Sequence, residues 1–243
     1  MNMHHIIITG ASRGIGHATA LLYASMGWNI SICSRHCDYQ MTQTQDAITA
    51  AGGQYFSLCG DMGNATDAEE FLAKAVQTFG TPEILVNNAG ISHIGLLQDM
   101  TPMQWDDIIR TNLSSVFYTS RVIIPYFLQE KHGRIINVSS VWGSVGASTE
   151  VAYSTTKGGI NAFTKALAKE LAPSGIPVNA VACGMIDTSM NSFLDPEELA
   201  AVIDEIPAGR AGTPQEAAAL IRQVAEAPDY MTGQIITLDG GWI

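Results

Sequence analysis

Short apolar runs alternate with longer stretches of helical periodicity along almost the whole chain. Most of the runs that resemble strands are continuously apolar, which is typical of parallel strands covered by helices on both faces. They are His5–Thr9, Asn29–Ser34, Gln54–Gly60, Ile84–Asn87, Arg134–Ser139, Pro177–Ala182 and Gln234–Leu238. This alternation predicts a doubly wound parallel sheet.

The segments between these runs carry apolar residues at three- and four-residue spacing, which places them on one stripe of a helix. We therefore predict an α/β fold: a single Rossmann-type domain over residues 1–243, with a seven-stranded parallel sheet and helices on both faces. The segment from about 184 to 231 lacks a strand pattern and is too long for a bare connection. We expect short helices there that form a substrate lid.

The charge balance of the chain is strongly acidic. Its 243 residues contain 12 Lys and Arg against 23 Asp and Glu, a formal net charge of −11. This balance argues against a nucleic-acid or anionic membrane partner, because phosphates bind to basic surfaces. No apolar run reaches the roughly 18–20 residues that span a bilayer. The first residues also lack the features of a signal peptide, so we expect a cytoplasmic protein.

The four cysteines, Cys33, Cys37, Cys59 and Cys183, are spread widely along the chain. This spacing does not predict a disulfide framework, and the thiols of cytosolic proteins stay reduced. Cys33, His36 and Cys37 resemble half of a metal site but lack a second ligand pair at usable spacing. We therefore expect buried thiols and no metal.

The first predicted strand leads into a glycine-rich turn and then into a helix; the turn reads Thr9-Gly10-Ala11-Ser12-Arg13-Gly14-Ile15-Gly16. Glycines at such a turn let the backbone approach a pyrophosphate, whose charge then faces the free N–H groups of the helix. The spacing differs from Gly-x-Gly-x-x-Gly, and glycines also serve ordinary tight turns. The position between a strand and an amphipathic helix nevertheless favours nucleotide binding.

The end of the second predicted strand indicates which nucleotide binds. An acidic residue there would bind a ribose 2′-hydroxyl, whereas an arginine would bind a 2′-phosphate. The strand ends in Ser34 and Arg35, and the glycine turn supplies Arg13 as a second cation. Two guanidinium groups favour NADPH, although Asp38, just past the strand, keeps NADH as an alternative.

Tyr153 and Lys157 lie four residues apart at the start of an amphipathic helix, so their side chains share one face. A free phenol has a pKa of about 10. We expect the ammonium group, together with an oxidised nicotinamide, to lower it towards the working pH. Ser140 lies thirteen residues before Tyr153, at the carboxyl end of a predicted strand, where parallel sheets bind ligands. The three residues predict a site for proton transfer to a substrate oxygen.

The chain resembles the short-chain dehydrogenase/reductase family along essentially its full length. The matching positions are the glycine turn, Asp61, Asn87-Asn88-Ala89-Gly90, Asn112, Ser140, Tyr153 with Lys157, Gly184 and Thr188. The resemblance implies reduction of a carbonyl to an alcohol, in which Ser140 orients the oxygen and Tyr153 donates the proton.

Further roles are implied by this resemblance alone. Asn112 would hold a water of the proton relay, and Lys157 would also bind the nicotinamide ribose. Asp61 would contact the adenine, residues 88–90 would support the fourth strand, and Thr188 would bind the carboxamide. The implied cofactor contacts are Gly10, Ser12, Arg13, Gly14, Ile15, Gly16, Arg35, Asp61, Met62, Asn88, Ala89, Gly90, Tyr153, Lys157, Gly184, Ile186 and Thr188.

Within the family the chain is most similar to 3-oxoacyl-[acyl-carrier-protein] reductases, notably in residues 131–136, 209–214 and 230–241. This implies a 3-oxoacyl thioester substrate, an acyl carrier protein as partner, a role in fatty acid biosynthesis and a homotetramer. Ser174 stands where such reductases have a base, so another small ketone, sugar or alcohol remains the alternative. Cys183 replaces the usual proline, which loosens a turn near the nicotinamide.

Two other classes of function are weighed against this one. Ser154 and Lys157 match the Ser-x-x-Lys motif of penicillin-recognising hydrolases, but the Ser-Asp-Asn and Lys-Thr-Gly partners are missing. A non-catalytic dinucleotide sensor would be expected to lose the Ser–Tyr–Lys set, which is intact. The apolar tail, residues 240–243, would lie near a subunit contact or fold back on its own core.

Overall fold

The computed structural model describes residues 4–243, so the first three residues of the predicted domain lie outside it. Its sheet has seven parallel strands in the order β3-β2-β1-β4-β5-β6-β7. The strands are His5–Thr9 (β1), Asn29–Ser34 (β2), Gln54–Cys59 (β3), Ile84–Asn87 (β4), Arg134–Ser140 (β5), Val178–Cys183 (β6) and Ile235–Leu238 (β7). The predicted strands all occur, with ends that shift by one residue at most. The predicted α/β fold class is confirmed.

The helices lie on both faces of the sheet, and one or two of them connect each strand to the next. They are Gly14–Ser25 (α1), Tyr39–Ala50 (α2), Ala65–Phe79 (α3), Pro102–Ile108 (α4), Ser115–Glu130 (α5), Trp142–Val145 (α6), Val151–Leu171 (α7), Pro196–Glu205 (α8) and Pro214–Ala225 (α9). A π-helical stretch, Ile109–Ser114, joins α4 to α5. None of the described helices is long and apolar enough to cross a membrane.

The continuously apolar strands are explained by two separate cores, one on each face of the sheet. In β1, Ile6 and Ile8 pack towards α1 and α9, whereas Ile7 packs into the core that contains residues of α3, α5 and α7. All three isoleucines are fully buried. Burying one such side chain contributes roughly 1.5–3 kcal/mol, so a polar residue at either kind of position would be costly.

The strand order creates the edge at which ligands are expected. The chain builds β1, β2 and β3 outward in one direction and then returns to place β4 on the other side of β1. At this reversal the helices that follow β1 and β4 lie on opposite faces of the sheet, an arrangement that places a ligand crevice at the carboxyl ends of the strands. The glycine turn follows β1, and Ser140 is the last residue of β5.

The helices of the predicted lid region differ in burial. Helix α9 buries five residues and packs in the core that also holds residues of α1, whereas α8 has no buried residue. The helix α9 is therefore part of the domain core. Only the segment before it, residues 186–212, is free to cover a cavity, and its ends are joined by a bridge between Ile186 and Gly212.

The expectation that all cysteines are free thiols is wrong for two of them. Cys37 and Cys59 form a disulfide, while Cys33 and Cys183 are free and buried. The two partners are 22 residues apart in sequence. The parallel pairing of β2 with β3 brings them together, because Ser34 lies opposite Cys59 and Cys37 follows shortly after β2.

Candidate active site

The glycine turn after β1 is shaped for close backbone approach. Gly10 and Gly14 have φ angles of +65° and +58°, which favour glycine. A Cβ atom on Gly10 would lie 2.7 Å from the Ala89 Cα atom, so the loops after β1 and β4 touch backbone to backbone. The turn leads into the N-terminus of α1, whose residues Gly14 and Ile15 line the cavity described below, and the free N–H groups of a helix N-terminus suit a dinucleotide pyrophosphate.

Asn88 and Thr9 hold this turn in place. The Asn88 Nδ2 donates to the backbone oxygens of Thr9, at 3.0 Å, and of Gly10, at 2.8 Å. The Thr9 hydroxyl oxygen accepts from the N–H groups of Asn88 and Ala89, both at 3.0 Å. The Asn88 side chain therefore supports the loop, and its donors are not free for a ligand.

A cavity of about 440 Å³ opens along this turn and reaches the ends of β2 and β3. Most of the predicted cofactor residues line it: Gly10, Ser12, Arg13, Gly14, Ile15, Arg35, Asp61, Met62, Asn88, Ala89, Gly90 and Thr188. Gly16 is buried behind the turn and lies outside the lining. A lining that runs from the glycine turn to the ends of β2 and β3 fits a dinucleotide.

Arg35 lies over the part of this cavity next to β2. Its guanidinium group donates to the Thr111 hydroxyl and lies 3.7 Å from an Asp61 oxygen and 3.6 Å from an Asp107 oxygen. Arg110 shares both carboxylates, at 3.5 Å from Asp61 and 2.7 Å from Asp107. Arg110 therefore neutralises part of the negative charge of Asp61 and Asp107. Arg35 can then bind an anion in the cavity.

The sequence reasoning missed Asp107, Arg110 and Thr111. Burial alone would raise the pKa of Asp107, but the hydrogen bond from Arg110 and the charges of Arg35 and Arg110 hold it below its ordinary value. The carboxylate is thus ionised and orients Arg35. A sequence signal for Asp107, Arg110 and Thr111 did exist, because all three lie within one and a half helical turns of Asn112, which was already predicted to belong to the site.

Tyr153 and Lys157 lie together in the first two turns of α7. The Lys157 Nζ is 5.4 Å from the centre of the Tyr153 ring and donates to the Val138 carbonyl at 2.8 Å. Burial lowers the pKa of Lys157 to about 8. Gly143 lets α6 pack closely on α7, because a Cβ atom at this position would lie 2.6 Å from the backbone of Lys157.

The pKa of Tyr153 differs from the sequence prediction. Burial raises it above its ordinary value, the charge of Glu150 raises it further, and a hydrogen bond with Ser140 opposes the shift. The predicted lowering of the Tyr153 pKa by Lys157 does not occur. Burial destabilises the phenolate by more than the Lys157 charge, which is itself destabilised by burial, could stabilise it. The phenol is therefore neutral at pH 7, which is the state that a proton donor needs.

Ser140 presents its hydroxyl group at the end of β5. Its oxygen accepts from the Trp142 backbone N–H at 3.2 Å, so that the hydroxyl proton can be donated to Tyr153 or to a substrate oxygen. The N–H group of Val141, the residue after Ser140, donates to the Cys183 carbonyl at 3.0 Å and connects this turn to the end of β6. The turn is thereby fixed at the edge where Tyr153 lies.

Asn112 is fully buried in the π-helical stretch between α4 and α5. Its Nδ2 donates to the Ile91 carbonyl at 2.9 Å and to the Thr156 hydroxyl at 3.2 Å, while its Oδ1 accepts from the Ile91 N–H at 2.8 Å. The side-chain donors are used within the protein. A water of a proton relay would have to be held by the backbone here.

A second cavity, of about 490 Å³, adjoins the first. Its lining includes the catalytic candidates Ser140, Tyr153 and Lys157 and the remaining predicted cofactor residues, Gly184 and Ile186. Five further wall residues lie in the segment that the sequence predicted as a lid, namely Met185, Phe193, Leu194, Glu198 and Val202, whereas the sequence reasoning missed Ile94, Trp142, Glu150 and Trp242. The tail folds back on its own subunit, since Trp242 packs on Trp142 with ring centres 4.9 Å apart.

Known proteins resemble this chain over nearly its full length. A family model for short chain dehydrogenases matches residues 4–199. A 3-oxoacyl-[acyl-carrier-protein] reductase of Synechocystis sp. is 38% identical over 98% of this chain and 96% of its own. An uncharacterized oxidoreductase of Bacillus subtilis is 38% identical over 97% of each chain. A crystal structure from Agrobacterium tumefaciens, provisionally assigned as a 2-deoxy-d-gluconate 3-dehydrogenase with bound NADP, has a TM-score of 0.89 at 31% identity and covers 98% of this chain and 96% of its own.

Proposed function

Because this chain belongs to the short-chain dehydrogenase family, we propose that it catalyses the NADPH-dependent reduction of a carbonyl group to an alcohol. The observation that carries the proposal is the meeting of Ser140, Tyr153 and Lys157 in one cavity that adjoins the glycine turn. The family resemblance and the oxidoreductase activity inferred from the sequence are confirmed. The direction, the cofactor and the roles of single residues are our proposal.

The cofactor is held by the first cavity. The turn of Gly10 and Gly14 and the N-terminus of α1 would bind the pyrophosphate, and Asp61 and Met62, which line the same cavity, would contact the adenine. Arg35 and Arg13 bind the 2′-phosphate, which favours NADPH over NADH. When bound, the reduced nicotinamide supplies the hydride that reaches the carbonyl carbon.

The residues of the second cavity move the proton. Ser140 donates a hydrogen bond to the substrate oxygen, and the neutral phenol of Tyr153 protonates this oxygen as negative charge develops on it. The nearby Lys157 ammonium group stabilises the phenolate that remains. A water held by the backbone of Asn112 then links Lys157 to solvent.

A 3-oxoacyl thioester on an acyl carrier protein is one candidate for the substrate, and another small ketone, sugar or alcohol is the alternative. The name of the Synechocystis relative supports it. An acidic carrier, however, would need basic residues around the entrance of the cavity, whereas this chain has a formal net charge of −11 and Ser174 where such reductases have a base. Residues 186–212 act as the lid over the substrate, and we propose a homotetramer as the working assembly.

Replacement of Tyr153 by Phe tests the proposal. Removing the phenolic hydroxyl is expected to lower turnover by roughly 100- to 10,000-fold, because a general acid contributes this much. NADPH binding, measured by fluorescence titration, is expected to change little. Tyr230→Phe is the matched control, since Tyr230 is fully exposed. Near-normal turnover of Tyr153→Phe on a panel of ketones would refute the assignment.

A further inference from the structure

The glycine turn is supported by a helix that lies outside the nucleotide cavity. Thr44 belongs to the second turn of α2 and is fully buried. Its hydroxyl oxygen lies 3.1 Å from the Ser12 carbonyl oxygen, which is part of the turn, and 2.7 Å from Nδ1 of His17 in α1. Ser12 lines the nucleotide cavity, whereas Thr44 and His17 do not. One hydroxyl group therefore connects α2 to the wall of this cavity.

Two carbonyl oxygens are within reach of the single proton of the Thr44 hydroxyl group. The Gln40 carbonyl is also 3.1 Å away, but it lies inside α2, where the helix already supplies the N–H group of Thr44. The Ser12 carbonyl precedes α1, because the first hydrogen bond of that helix runs from the His17 N–H to the Arg13 carbonyl at 3.3 Å. The hydroxyl proton therefore contributes more at Ser12, whose oxygen takes no part in a helix.

The hydroxyl group also contacts an imidazole ring. Burial lowers the pKa of His17 below its ordinary value, so the half-buried ring is neutral at pH 7 and carries one N–H group. With the proton on Nδ1, His17 donates to Thr44 and Thr44 donates to Ser12. With the proton on Nε2, Thr44 would donate to His17, and the Ser12 carbonyl would lose this donor. Because a carbonyl only accepts, the first arrangement makes one hydrogen bond more.

We propose that Thr44 is a positioning residue for the nucleotide: His17 donates from Nδ1 to Thr44, and Thr44 donates to the Ser12 carbonyl and holds the glycine turn in its binding shape. This proposal rests on the proposed function, because it requires that the turn binds the pyrophosphate. Asn88 holds the turn at Gly10 from the side of β4. Thr44 holds it two residues later from α2.

Thr44→Val tests the proposal, because valine keeps the shape of the side chain and removes the hydroxyl group. The Kd of NADPH, from fluorescence titration, and its KM are expected to rise by roughly three- to tenfold, the effect of one hydrogen bond. The values for NADH are expected to rise by the same factor, because both nucleotides contain the pyrophosphate. At saturating nucleotide kcat is expected to stay unchanged, since neither Thr44 nor Ser12 lines the cavity of Tyr153.

Two further variants in α2 provide the controls. Thr44→Ser keeps the hydroxyl group and is expected to restore the affinity for NADPH to within about twofold of wild type. Thr49→Val removes an exposed hydroxyl group that donates to the Gln45 carbonyl of the same helix at 3.0 Å. It reports the loss of a bond within the helix without the bond to the turn, and it is expected to leave the affinity unchanged.

His17 is tested by its coupling to Thr44. His17→Phe keeps an aromatic ring and removes the donor, so it is expected to raise the Kd of NADPH. The double variant of His17→Phe and Thr44→Val is expected to bind NADPH no more weakly than Thr44→Val alone, because His17 acts through Thr44. Additive losses in the double variant would overturn this coupling.

Neutron diffraction from crystals of the deuterated wild-type protein tests the hydrogen bonds directly and needs no variant. Deuterium is expected on Nδ1 of His17 and on the Thr44 hydroxyl group, where it is expected to point at the Ser12 carbonyl. A Thr44 deuterium that points at His17 or at Gln40 would overturn the inference.

The outcomes separate the inference from the proposed function. If wild type reduces ketones with NADPH and Thr44→Val binds NADPH equally well, the inference is wrong and the proposed function stands. A loss of affinity for NADPH alone would place the effect at the 2′-phosphate instead of the turn and would also overturn the inference. Failure of wild type to bind NADPH and to reduce any ketone would overturn the proposed function and the inference together.

Discussion

The two adjoining cavities are built in different ways. The nucleotide cavity is formed by tight turns at the ends of β1, β2 and β4, and its polar groups are already engaged with one another. Asn88 holds the glycine turn, and Arg35 is shared between Asp61, Asp107 and Thr111. The substrate cavity is walled by large side chains from α6, α7, α8 and the tail, and half-buried Glu150 has no ion-pair partner in residues 4–243.

The difference shows which features of the molecule determine nucleotide specificity and which determine substrate specificity. A nucleotide is recognised through backbone positions and fixed charges, which the fold itself supplies at the reversal of strand order. A substrate is recognised through side chains that the fold merely brings together, and these can change while the sheet stays the same. Three changes at particular residues sharpen this contrast.

Reversing the charge of Arg35 has the largest expected effect. In Arg35→Asp the carboxylate would repel a 2′-phosphate and accept from a 2′-hydroxyl. The preference for NADPH over NADH is therefore expected to fall by roughly 100-fold, because charge-assisted hydrogen bonds contribute about 1.5–3 kcal/mol each. The ratio of kcat/KM for the two cofactors is the measurement.

Arg222→Asp provides the control for this change. Arg222 pairs with Glu226 on the exposed face of α9, so the variant alters the net charge equally but leaves the nucleotide cavity intact. It is expected to keep the wild-type preference. If Arg35→Asp kept that preference as well, the cofactor would not be selected by this residue.

The disulfide between Cys37 and Cys59 lies beside the same cavity and joins the loop after β2 to the end of β3. Closing a loop of 22 residues stabilises the fold by about 3 kcal/mol in the chain-entropy model. Cys37→Ser is expected to lower the free energy of unfolding by this amount in non-reducing buffer. In excess dithiothreitol, wild type and variant are expected to unfold alike. Equal stability without reductant would show that the bond does not form in solution.

The nucleotide side of the molecule was accessible to sequence reasoning because its signals are local. The glycine turn, Arg35 and the strand ends each lie within a short stretch whose conformation follows from the residues themselves. The disulfide escaped because it depends on the pairing of β2 with β3, which a sequence spacing of 22 residues does not reveal.

The substrate side was less accessible because its walls come from distant parts of the chain. Trp142 and Trp242 are 100 residues apart in sequence and meet only because the tail after β7 returns to the end of β5. Glu150 had a local signal, its position three residues before Tyr153. The raised pKa of Tyr153 was out of reach, since it depends on how deeply α7 buries the phenol.

Lys157 lines the substrate cavity, and replacing it links stability to function. Its pKa is about 8 in the fold against an ordinary value of 10.5. Below pH 8 the folded state bears the full cost of burying the charge. Between pH 8 and 10.5 the folded state has released its proton while the unfolded state still holds one. This residue therefore makes stability rise with pH across that window.

Lys157→Met removes the buried charge and keeps the length of the side chain. At pH 7 it is expected to raise the free energy of unfolding by on the order of 1–3 kcal/mol while abolishing turnover, and the gain should shrink towards pH 10. Urea denaturation at both pH values measures this. Lys165→Met, exposed on the same helix, is expected to change stability little at either pH. If the variant were less stable than wild type at pH 7, interactions within the site would more than offset the cost of burying the ammonium group. Lys157 would then stabilise the fold as well as take part in the reaction.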